Sequence, residues 1–483
     1  MTTYEEVINL ALRRSLFYQN CEVYKGPAGF YNYGPYGTAI KRKIVSVWRK
    51  HLVQKEGFLE IDGSTVMPED VFKASGHLDN FNDPVTRCKK CGTAYRADNL
   101  LNEVTKKEYK EAESEAILTK SLRDNKIKCT KCKGELSEVI KENILVKVGV
   151  KSTQKNVYLR PETCQTIFTD FSRMMKTMRL KLPQGISQYG KSYRNEISPR
   201  QTILRTIEFE QMETEIFFDP KNINEIEKWN EIKDYKLCVQ LDGKKQVEQI
   251  SCADLVKKKI VSGKLIAYYL ARTQQLYEQY GFDLKKMRFR ELDNKERAFY
   301  AKEGWDFEVL TSIGWLELIA NNYRTDYDLN GHMKGSKEDM QYVYPDGKKV
   351  LPHVWEISIG TNRTFYAILE NSLKEVNGKT VLSLPTKIAP LQIAIIPLLK
   401  NNKELIKKSK EIVELLNHFD ITYDDAGSVG KRYARMDEIG VPYCITVDHQ
   451  TLEDETVTLR DRDTTEQKRI KITEIVKTIR ELI

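Results

Sequence analysis

Apolar residues recur at regular spacing in several blocks of this 483-residue chain. Between residues 36 and 58 they lie four positions apart, which predicts an amphipathic helix that ends at Gly57; they are Ile40, Ile44, Trp48 and Leu52. Residues 58–68 then alternate as in a strand. Strand-like patterns further on surround predicted helices over residues 161–178 and 363–374. The chain is therefore expected to mix helices and strands.

Changes in charge and patterning divide the chain into six segments. Residues 86–147 and 219–287 are highly charged and are interpreted as insertions; the centre of the first, residues 102–128, is expected to be helical. The last segment begins near Pro385, where strands start to alternate with helices, and this predicts a separate α/β domain with a mixed sheet. The expected segments are 1–85, 86–147, 148–218, 219–287, 288–384 and 385–483.

The last segment has the clearest pattern of alternating elements. Each apolar run there is short and is bounded by polar or turn residues, as expected for strands and helices of a small domain. The predicted elements are a strand at 391–398, a helix at 403–418, a strand at 422–425, a helix at 429–438, a strand at 443–447, a hairpin around 457–472 and a final helix.

Composition narrows the class of protein. Hydrophobic residues make up 40% and charged residues 30%, as in ordinary soluble chains. No run of about 18 apolar residues exists, so no membrane-spanning helix is expected. The N-terminus lacks a basic-then-apolar segment and the cysteine count of nine is odd, which favours the reducing cytoplasm over secretion. The net charge of +9 fits either a lysine-rich solvated surface or a polyanionic partner.

Four of the cysteines form two Cys-x-x-Cys pairs, Cys88 with Cys91 and Cys129 with Cys132. Such pairs are typical ligands of tetrahedral Zn²⁺. The 37 residues between the pairs exceed the usual zinc-ribbon spacing. Reduced free cysteines or a degenerate site remain the alternative.

Two charged stretches suggest a binding cleft. Arg194 and Glu196 are predicted to share the face of a strand, where an arginine can hold a phosphate and a carboxylate can accept from an amino group. A strand over residues 204–218 would place Phe209, Gln211, Glu213 and Glu215 on one face. Such a face suits a base and an ammonium group, although surface ion pairs or a solvated sheet face remain alternatives.

These stretches resemble the motifs of class II aminoacyl-tRNA synthetases in their glycyl-tRNA synthetase form. Residues 57–68 resemble motif 1, residues 193–200 with Leu204-Arg205 and Glu208-Phe209 resemble motif 2, and residues 356–363 resemble motif 3. Residues 26–35, 159–163 and 323–329 are also similar to glycyl-enzyme stretches. The three motifs occur in order, and the resemblance covers nearly the whole chain.

The resemblance implies an enzyme that activates glycine with ATP and transfers it to tRNA(Gly). Arg194 would contact the α-phosphate, Glu196 the adenine amino group and Arg205 the outer phosphates, with Mg²⁺ bridging the phosphates. Phe209 and Arg363 would enclose the adenine ring. The glycine site would be formed by Glu162, Glu213, Arg324, Glu356 and Ser358.

The family's architecture is also implied. It consists of a catalytic α/β core with a mostly antiparallel sheet, a zinc-ribbon-like insertion, and a C-terminal α/β anticodon-binding domain, in a homodimer. The tRNA anticodon would be contacted by Lys431, Arg432, Arg435, Arg460 and Arg462. The alternatives are a non-catalytic paralogue that binds nucleic acid and a synthetase for another small amino acid.

The sequence departs from the family pattern at several positions. The differing residues are Cys164, Thr166, Ile207, Ile357 and Ile359, with Thr361 and Asn362 just before Arg363. Thr166 is expected to crowd the substrate pocket, so the departures concern substrate specificity and rate more than the fold. His77 is interpreted as a structural residue.

Overall fold

The computed structural model describes residues 2–107, 109, 113–197, 199 and 201–483. At its centre lies a nine-stranded sheet whose strands, in chain order, are β1 (Leu59–Ile61), β2 (Gln184–Tyr193), β3 (Glu208–Phe218), β4 (Lys236–Gln240), β5 (Glu248–Ser251), β6 (Met287–Glu291), β7 (Glu303–Thr311), β8 (Gly314–Thr325) and β9 (His353–Gly360). Across the sheet the order is β5-β4-β6-β7-β8-β9-β3-β2-β1. The β1–β2 and β4–β6 pairs are parallel and the other pairs antiparallel, which confirms the expected antiparallel-rich sheet.

The two faces of this sheet differ because strand residues point alternately to opposite sides. Met212 and Ile216 of β3 face the main apolar core. Three helices supply the other side of that core, Pro35–Trp48, Lys264–Gln279 and Thr361–Ser372. The odd-numbered residues of β3 face the opposite way, so this second face carries the polar residues of the candidate site.

The helix Cys164–Met178 lies over one end of the second face. Its apolar side packs on Phe217 of β3 and Ile186 of β2. The predicted helix over 161–178 is therefore present and begins three residues later than expected. Its first residue, Cys164, is buried next to the polar part of the sheet.

The first predicted helix continues in an altered form. Pro35–Trp48 is α-helical, Arg49–Gln54 is a π-helix, and Gly57 has a φ of +68°. That left-handed conformation is tolerated by glycine and reverses the chain, as expected. The predicted strand over 58–68 is interrupted, and its two halves, Leu59–Ile61 and Val66–Pro68, belong to different sheets.

The first charged insertion has a small core of its own. A three-stranded sheet is formed by Ala94–Arg96, Asn82–Arg87 and Ile140–Asn143. Two helices, Ala97–Thr105 and Glu115–Asp124, replace the single helical region that was expected. Residues 108 and 110–112 of that region lie outside the described part of the chain.

The second charged segment, residues 219–287, is integrated with the central sheet. Its strands β4 and β5 extend the central sheet, and its helix Lys264–Gln279 has 12 buried residues of 16. A helix that is buried on nearly all sides has no polar stripe, so the 3.6-residue period is hidden in the sequence.

The C-terminal domain contains a second sheet. Its strands are β10 (Ile393–Pro397), β11 (Ile421–Tyr423), β12 (Tyr443–Val447), β13 (Thr456–Asp461) and β14 (Gln467–Lys471). The order is β11-β10-β12-β13-β14, with β10 parallel to both neighbours and the last two pairs antiparallel. The predicted mixed sheet is confirmed. The helices are Lys403–Leu415, Val429–Ile439, His449–Asp454, which was not predicted, and Ile475–Leu482.

The remaining elements are short and peripheral. Small sheets are formed by Phe17–Gln19 with Tyr31–Tyr33, Val66–Pro68 with Val157–Leu159 and Val146–Val148, Tyr342–Val343 with Lys349–Val350, and Leu373–Val376 with Lys379–Leu382. The other α-helices are Tyr4–Arg13, Glu69–Ala74, His77–Asn80, Trp229–Ile232, Cys252–Lys257 and Tyr327–Ser336. Among the described residues, no helix has both the length and the apolar character needed to span a membrane.

Candidate active site

A cavity of about 570 Å³ opens on the second face of the central sheet. Most of the residues expected to bind substrate line it, namely Glu162, Arg194, Glu196, Arg205, Phe209, Ser358 and Arg363. The other three, Glu213, Arg324 and Glu356, are fully buried beside it. The residues that the family resemblance assigned to the substrate site therefore meet in one place.

The register of the sheet explains this convergence. Glu213 of β3 pairs with Ser358 of β9, and Glu215 pairs with Glu356. On the other side of β9, Glu356 pairs with Asn322 of β8. Cross-strand partners point to the same face, so two rows of polar side chains cross the sheet. The predicted shared face of Phe209, Gln211, Glu213 and Glu215 is confirmed by the strand Glu208–Phe218.

The expected strand placement of Arg194 and Glu196 is wrong. The strand β2 ends at Tyr193, and the chain then turns, because the Glu196 amide donates to the Arg194 carbonyl at 2.7 Å. The Asn195 amide donates to the carbonyl of Ile144 instead of to the neighbouring strand. Both side chains still line the cavity. Ser198 and Arg200, the end of the motif 2 stretch, lie outside the described residues.

The Arg194 guanidinium lies between two aromatic rings. Its central carbon is 5.0 Å from the ring centre of Phe81 and 5.3 Å from that of Phe209. Its Nε also donates to the carbonyl of Pro161 at 3.2 Å. These contacts fix the planar cation, and among the described residues no acceptor takes up its terminal N–H groups, which can therefore bind an anion. Arg205 is instead paired with Glu196 at 2.6 Å.

Arg363 lies in the first turn of the helix Thr361–Ser372. It donates to the carbonyls of Leu204 and Glu317, and its Nη1 lies 3.2 Å from the Glu317 carboxylate. The guanidinium is therefore held against the cavity wall. Its plane is available to a ring that enters the cavity.

Two carboxylates of β7 and β8, Asp306 and Glu317, line the cavity, each paired with an arginine. Burial and the negative charge of Glu317 raise the pKa of Asp306 well above its usual range, although Arg290 lies 2.8 Å away. Carboxylate oxygens such as these are suitable ligands for a hard divalent cation such as Mg²⁺.

Arg324 is the buried cation of the site. It makes two hydrogen bonds to Asp328, at 2.7 and 2.8 Å, and one to Glu356 at 2.7 Å. The ring of Tyr300 lies 3.7 Å from its guanidinium carbon. Asn322 donates to the second oxygen of Glu356 at 2.6 Å. Arg324 therefore fixes the orientation of Glu356 from below the cavity.

His77 belongs to the site and is more than a distant structural residue. Its Nε2 lies 3.1 Å from the Glu162 carboxylate, and Ser75 holds its Nδ1 at 2.8 Å. Burial disfavours the ionised form of Glu162, but its contacts with His77 and Cys164 and the charge of Arg324 outweigh burial and lower the pKa of Glu162 well below its usual range. Glu162 is thus an anion that lines the cavity.

Glu213 is buried with only part of its hydrogen-bonding capacity used. Its Oε2 accepts from the Thr163 hydroxyl, while its Oε1 is buried and has no partner among the described residues. Burial and the charge of Glu162 raise the pKa of Glu213 above its ordinary value. An uncompensated carboxylate oxygen in a dry site is a strong acceptor for a cationic donor.

Most of the positions at which the sequence departs from the family pattern lie outside the pocket. Ile357 and Ile359 are buried in the main core on the opposite face. Thr166, which was expected to crowd the pocket, does not line the cavity; its hydroxyl lies 2.7 Å from the Gln188 amide. Two departures do touch the site: Asn362 lines the cavity, and the thiol of Cys164 donates to Glu162 at 2.9 Å.

The four paired cysteines meet in the insertion. The sulfurs of Cys88 and Cys132 lie 3.4 Å apart and those of Cys91 and Cys129 3.6 Å apart, and all four lie within 4.8 Å of one another. Tetrahedral zinc with bonds of about 2.3 Å requires sulfur separations of about 3.8 Å. The donor set therefore fits zinc.

Two of the five expected anticodon residues, Arg432 and Arg460, are buried and paired within the protein. Arg432 donates to the carbonyls of Pro397 and Gly427, and Arg460 makes two hydrogen bonds to Asp437. Buried, internally paired guanidinium groups cannot reach a tRNA, so the expectation for these two residues is wrong.

The other three expected anticodon residues differ from one another in how exposed they are to solvent. Arg462 is also buried; it donates to Gly440 and Leu384 carbonyls and pairs with Asp463, so its expected role is likewise wrong. Arg435 is partly exposed but pairs with Asp424 at 2.6 Å. Lys431 is exposed. The solvent-facing part of the predicted basic surface therefore centres on Lys431.

Several residues of the site were missed from the sequence. They are Phe81, His77, Asn322 and Tyr300. Phe81 and His77 precede the cysteine insertion, and neither has a periodic pattern around it that would have placed it on the cavity wall. Glu215 was predicted on the correct strand face, but its lack of hydrogen-bond donors among the described residues depends on contacts between strands, which the sequence does not show.

Comparisons with known proteins agree with this arrangement. The family "tRNA synthetase class II core domain (G, H, P, S and T)" matches residues 146–372, and the family "Anticodon binding domain" matches residues 392–482. A solved structure described as the RNA binding domain of threonyl-tRNA synthetase from Cryptosporidium parvum is 16% identical, covers 98% of each chain, and has a TM-score of 0.62. That likeness supports the fold alone.

Curated relatives named glycine–tRNA ligase align along the whole chain. The protein from Methanothrix thermoacetophila is 37% identical over 100% of this chain and 97% of its own. Those from Methanocaldococcus jannaschii and Pyrococcus furiosus are 37% and 38% identical, over 99% of this chain and 98% and 99% of theirs. With a class II synthetase core that is followed by an anticodon-binding domain, the chain belongs to the glycine–tRNA ligase family.

Proposed function

We propose that the protein activates glycine with ATP to form glycyl-adenylate and then transfers the glycyl group to the 3′ end of tRNA(Gly). The observation that carries the proposal is the buried, unpartnered Oε1 of Glu213 beside an arginine-lined cavity. An ammonium group supplies the missing donor. The adjacent cations suit the carboxylate and phosphates of the same reactants.

Glycine recognition follows from the buried carboxylates. The substrate ammonium binds between Glu213, Glu162 and Glu356, with Ser358 beside them. Arg324 keeps Glu356 in place through its 2.7 Å hydrogen bond. Glycine needs no room for a side chain, so overlap with these fixed groups rejects larger amino acids.

ATP occupies the larger part of the cavity in this proposal. Phe209 and Arg363 enclose the adenine ring, and Arg194 contacts the α-phosphate, where negative charge develops during attack. The observed ion pair between Arg205 and Glu196 opens so that Arg205 reaches the outer phosphates and Glu196 accepts from the adenine amino group. Asp306 and Glu317 would hold Mg²⁺, which neutralises phosphate charge.

The chemistry requires no general base from the protein. The glycine carboxylate attacks the α-phosphorus and pyrophosphate leaves, so both nucleophile and leaving group belong to the substrates. The protein contributes by aligning the two reactants and by stabilising the charge that develops. Arg194, with its orientation fixed by two aromatic rings, is the main contributor to that stabilisation.

The remaining proposals concern the assembly. The C-terminal domain binds the tRNA anticodon, with Lys431 and the partly exposed Arg435 on its contact surface. The four cysteines of the insertion would hold a structural Zn²⁺, which would cross-link its two halves. Residues 57–68, as motif 1, take part in a homodimer interface, which sedimentation of the purified protein tests.

Amino-acid-dependent exchange of label between pyrophosphate and ATP tests the activation step. The reaction is measured with each of the twenty amino acids in turn. Glycine should drive robust exchange, and alanine and serine should drive little. Comparable exchange with alanine or serine would indicate another small amino acid as substrate, and no exchange with any amino acid would favour a non-catalytic paralogue.

A further inference from the structure

Glu215 is a buried carboxyl group without a partner. It lies on β3, two residues beyond Glu213 on the same face, and opposite Glu356 of β9. Its relative exposure is 0%. In the described part of the chain, neither of its oxygens has a hydrogen-bond donor. Buried carboxylates normally have several.

Arg324, the buried cation of the site, directs its hydrogen bonds to residues other than Glu215. Arg324 of β8 directs its hydrogen bonds to Asp328, on the helix Tyr327–Ser336, and to Glu356. The second oxygen of Glu356 is occupied by Asn322. Glu356 therefore has donors at both oxygens, as an ionised carboxylate requires, although burial raises its pKa to about 8.

The other groups that face Glu215 are also acidic or neutral. One ligand atom each of Cys164, on the helix above, Glu213, Glu215 and Glu356 lie within 4.8 Å of one another. Burial and the charge of Glu356 raise the pKa of Glu215 well above its ordinary value, and Arg324 offsets this only in part. A carboxyl group that is crowded by carboxylates and lacks donors takes up a proton.

We propose that Glu215 is held as a neutral carboxylic acid beneath the amino-acid pocket and donates a hydrogen bond to the carboxylate of Glu213. Among the described residues the Oε1 of Glu213 is itself buried and without a donor, so the O–H of Glu215 supplies one donor to it, and the second lone pair of that oxygen stays open to the substrate ammonium. The Oε2 of Glu213 already accepts from Thr163. Glu215 is thus a positioning residue, which fixes Glu213 for the substrate ammonium.

A neutral Glu215 would affect binding of the substrate ammonium in two ways, through the charge of the pocket and through the orientation of Glu213. If Glu215 were ionised, its charge would add to those of Glu162, Glu213 and Glu356 around a single ammonium group. The neutral form removes that excess and holds Glu213 at both oxygens. The part of the inference that concerns the ammonium rests on the proposed function, whereas the proton on Glu215 does not.

Infrared spectroscopy tests the proton directly. Spectra of the full-length protein at neutral pH are recorded without substrate in H₂O and in D₂O, because the carbonyl band of a protonated carboxylic acid shifts on deuteration. Glu215→Gln should lose such a band. The matched control is Glu208→Gln, on the same strand but on the other face and 31% exposed, which should keep it. A Glu215→Gln spectrum identical to that of the wild type would overturn the proposal.

The pH dependence of stability gives a second readout. The folded protein keeps a proton that the unfolded chain releases above the ordinary pKa of 4.5, so Glu215 stabilises the fold less as the pH rises towards its raised folded pKa. Between about pH 5.5 and about pH 7.5 the melting temperature of the wild type should fall relative to that of Glu215→Gln. A constant difference over that range would contradict the proposal.

Kinetics then test the link to the substrate. Glu215→Ala should raise the KM for glycine about tenfold, because Glu213 loses a hydrogen bond to a charged group, and Glu215→Gln should restore most of the loss since its amide also donates. The KM for ATP should stay the same in both. If Glu215→Ala does not fold, the infrared and melting comparisons with Glu215→Gln decide. If the KM for glycine is as high in Glu215→Gln as in Glu215→Ala, the positioning role is overturned. If glycine supports no reaction even in the wild-type protein, the proposed function is refuted, while the infrared result on the proton of Glu215 still stands.

Discussion

The Nη1 of Arg324 donates to the Oε1 of Glu356 at 2.7 Å, and neither side chain is more than 2% exposed. The same guanidinium holds Asp328 through two further hydrogen bonds. A single buried cation therefore compensates two carboxylates, one of which belongs to the proposed glycine site. Stability and substrate binding are linked at this point of the fold.

Replacement of Arg324 tests that link. Arg324→Met should lower the free energy of unfolding by about 3–5 kcal/mol, because it leaves Glu356 and Asp328 buried without a cation. Chemical denaturation monitored by tryptophan fluorescence measures this loss. The matched control is Arg123→Met, which breaks an exposed pair with Glu138 and should have little effect. Equal stability of the two variants would show that Arg324 does not support the core.

Glu213 should contribute to glycine binding and not to ATP binding. Glu213→Gln removes the negative charge that faces the ammonium group, and a charged hydrogen bond of about 1.5–3 kcal/mol corresponds to a tenfold or greater loss. The KM for glycine in pyrophosphate exchange should rise accordingly, while the KM for ATP changes little. Glu208→Gln serves as control, since Glu208 pairs with Lys191 on the other face of the strand. An unchanged glycine KM in Glu213→Gln would place the ammonium elsewhere.

Two basic residues of the C-terminal domain should behave in opposite ways. Arg460→Met leaves Asp437 buried and unpaired, so it should destabilise the domain by about 3–5 kcal/mol. Lys431→Ala should keep the melting temperature but raise the KM for tRNA, because it removes an exposed phosphate contact. Glycine-dependent pyrophosphate exchange should be normal in Lys431→Ala. If Arg460→Met is as stable as the wild type and binds tRNA more weakly, Arg460 contacts the tRNA and the prediction is wrong.

The cysteine cluster should bind metal. Protein purified without chelators should contain about one zinc per chain, and the double variant Cys88→Ser/Cys91→Ser should contain none, because two ligands of the tetrahedral set are gone. Elemental analysis by mass spectrometry gives the ratio. Cys21→Ser, at an exposed cysteine outside the cluster, should keep its zinc. Wild-type protein without zinc would rule the site out.

Two elements of the C-terminal domain lie close to their expected positions for different reasons. The strand Tyr443–Val447 is buried on both faces and was recognised as a short apolar run, whereas one face of the helix Lys403–Leu415 meets the core and the other meets solvent, which gives a clear period. The helix Lys264–Gln279 was missed because burial on nearly all sides removes that contrast. The π-helix after Trp48 also had no signal, since its apolar spacing continues that of the α-helix before it.

The candidate site was predictable where one strand determines it. The alternation of Glu213 and Glu215 is a local property of β3, and it placed both on the correct face. The burial of Arg460 depends on Asp437, which lies 23 residues away, and the turn at Arg194 depends on Ile144 in the insertion. The burial of Arg460 and the turn at Arg194 both depend on contacts between segments that are distant in the sequence, and no local sequence pattern predicts such contacts.

Transfer of glycine to tRNA tests the central claim most directly. Full-length protein is incubated with labelled glycine, ATP, Mg²⁺ and a tRNA(Gly) transcript, and label in acid-precipitated tRNA is counted. The account predicts ATP-dependent charging with glycine, loss of charging when the tRNA 3′ end is oxidised with periodate, and little charging with labelled alanine or serine. Folded protein that leaves tRNA(Gly) uncharged, or that charges it equally well with alanine, would contradict the account.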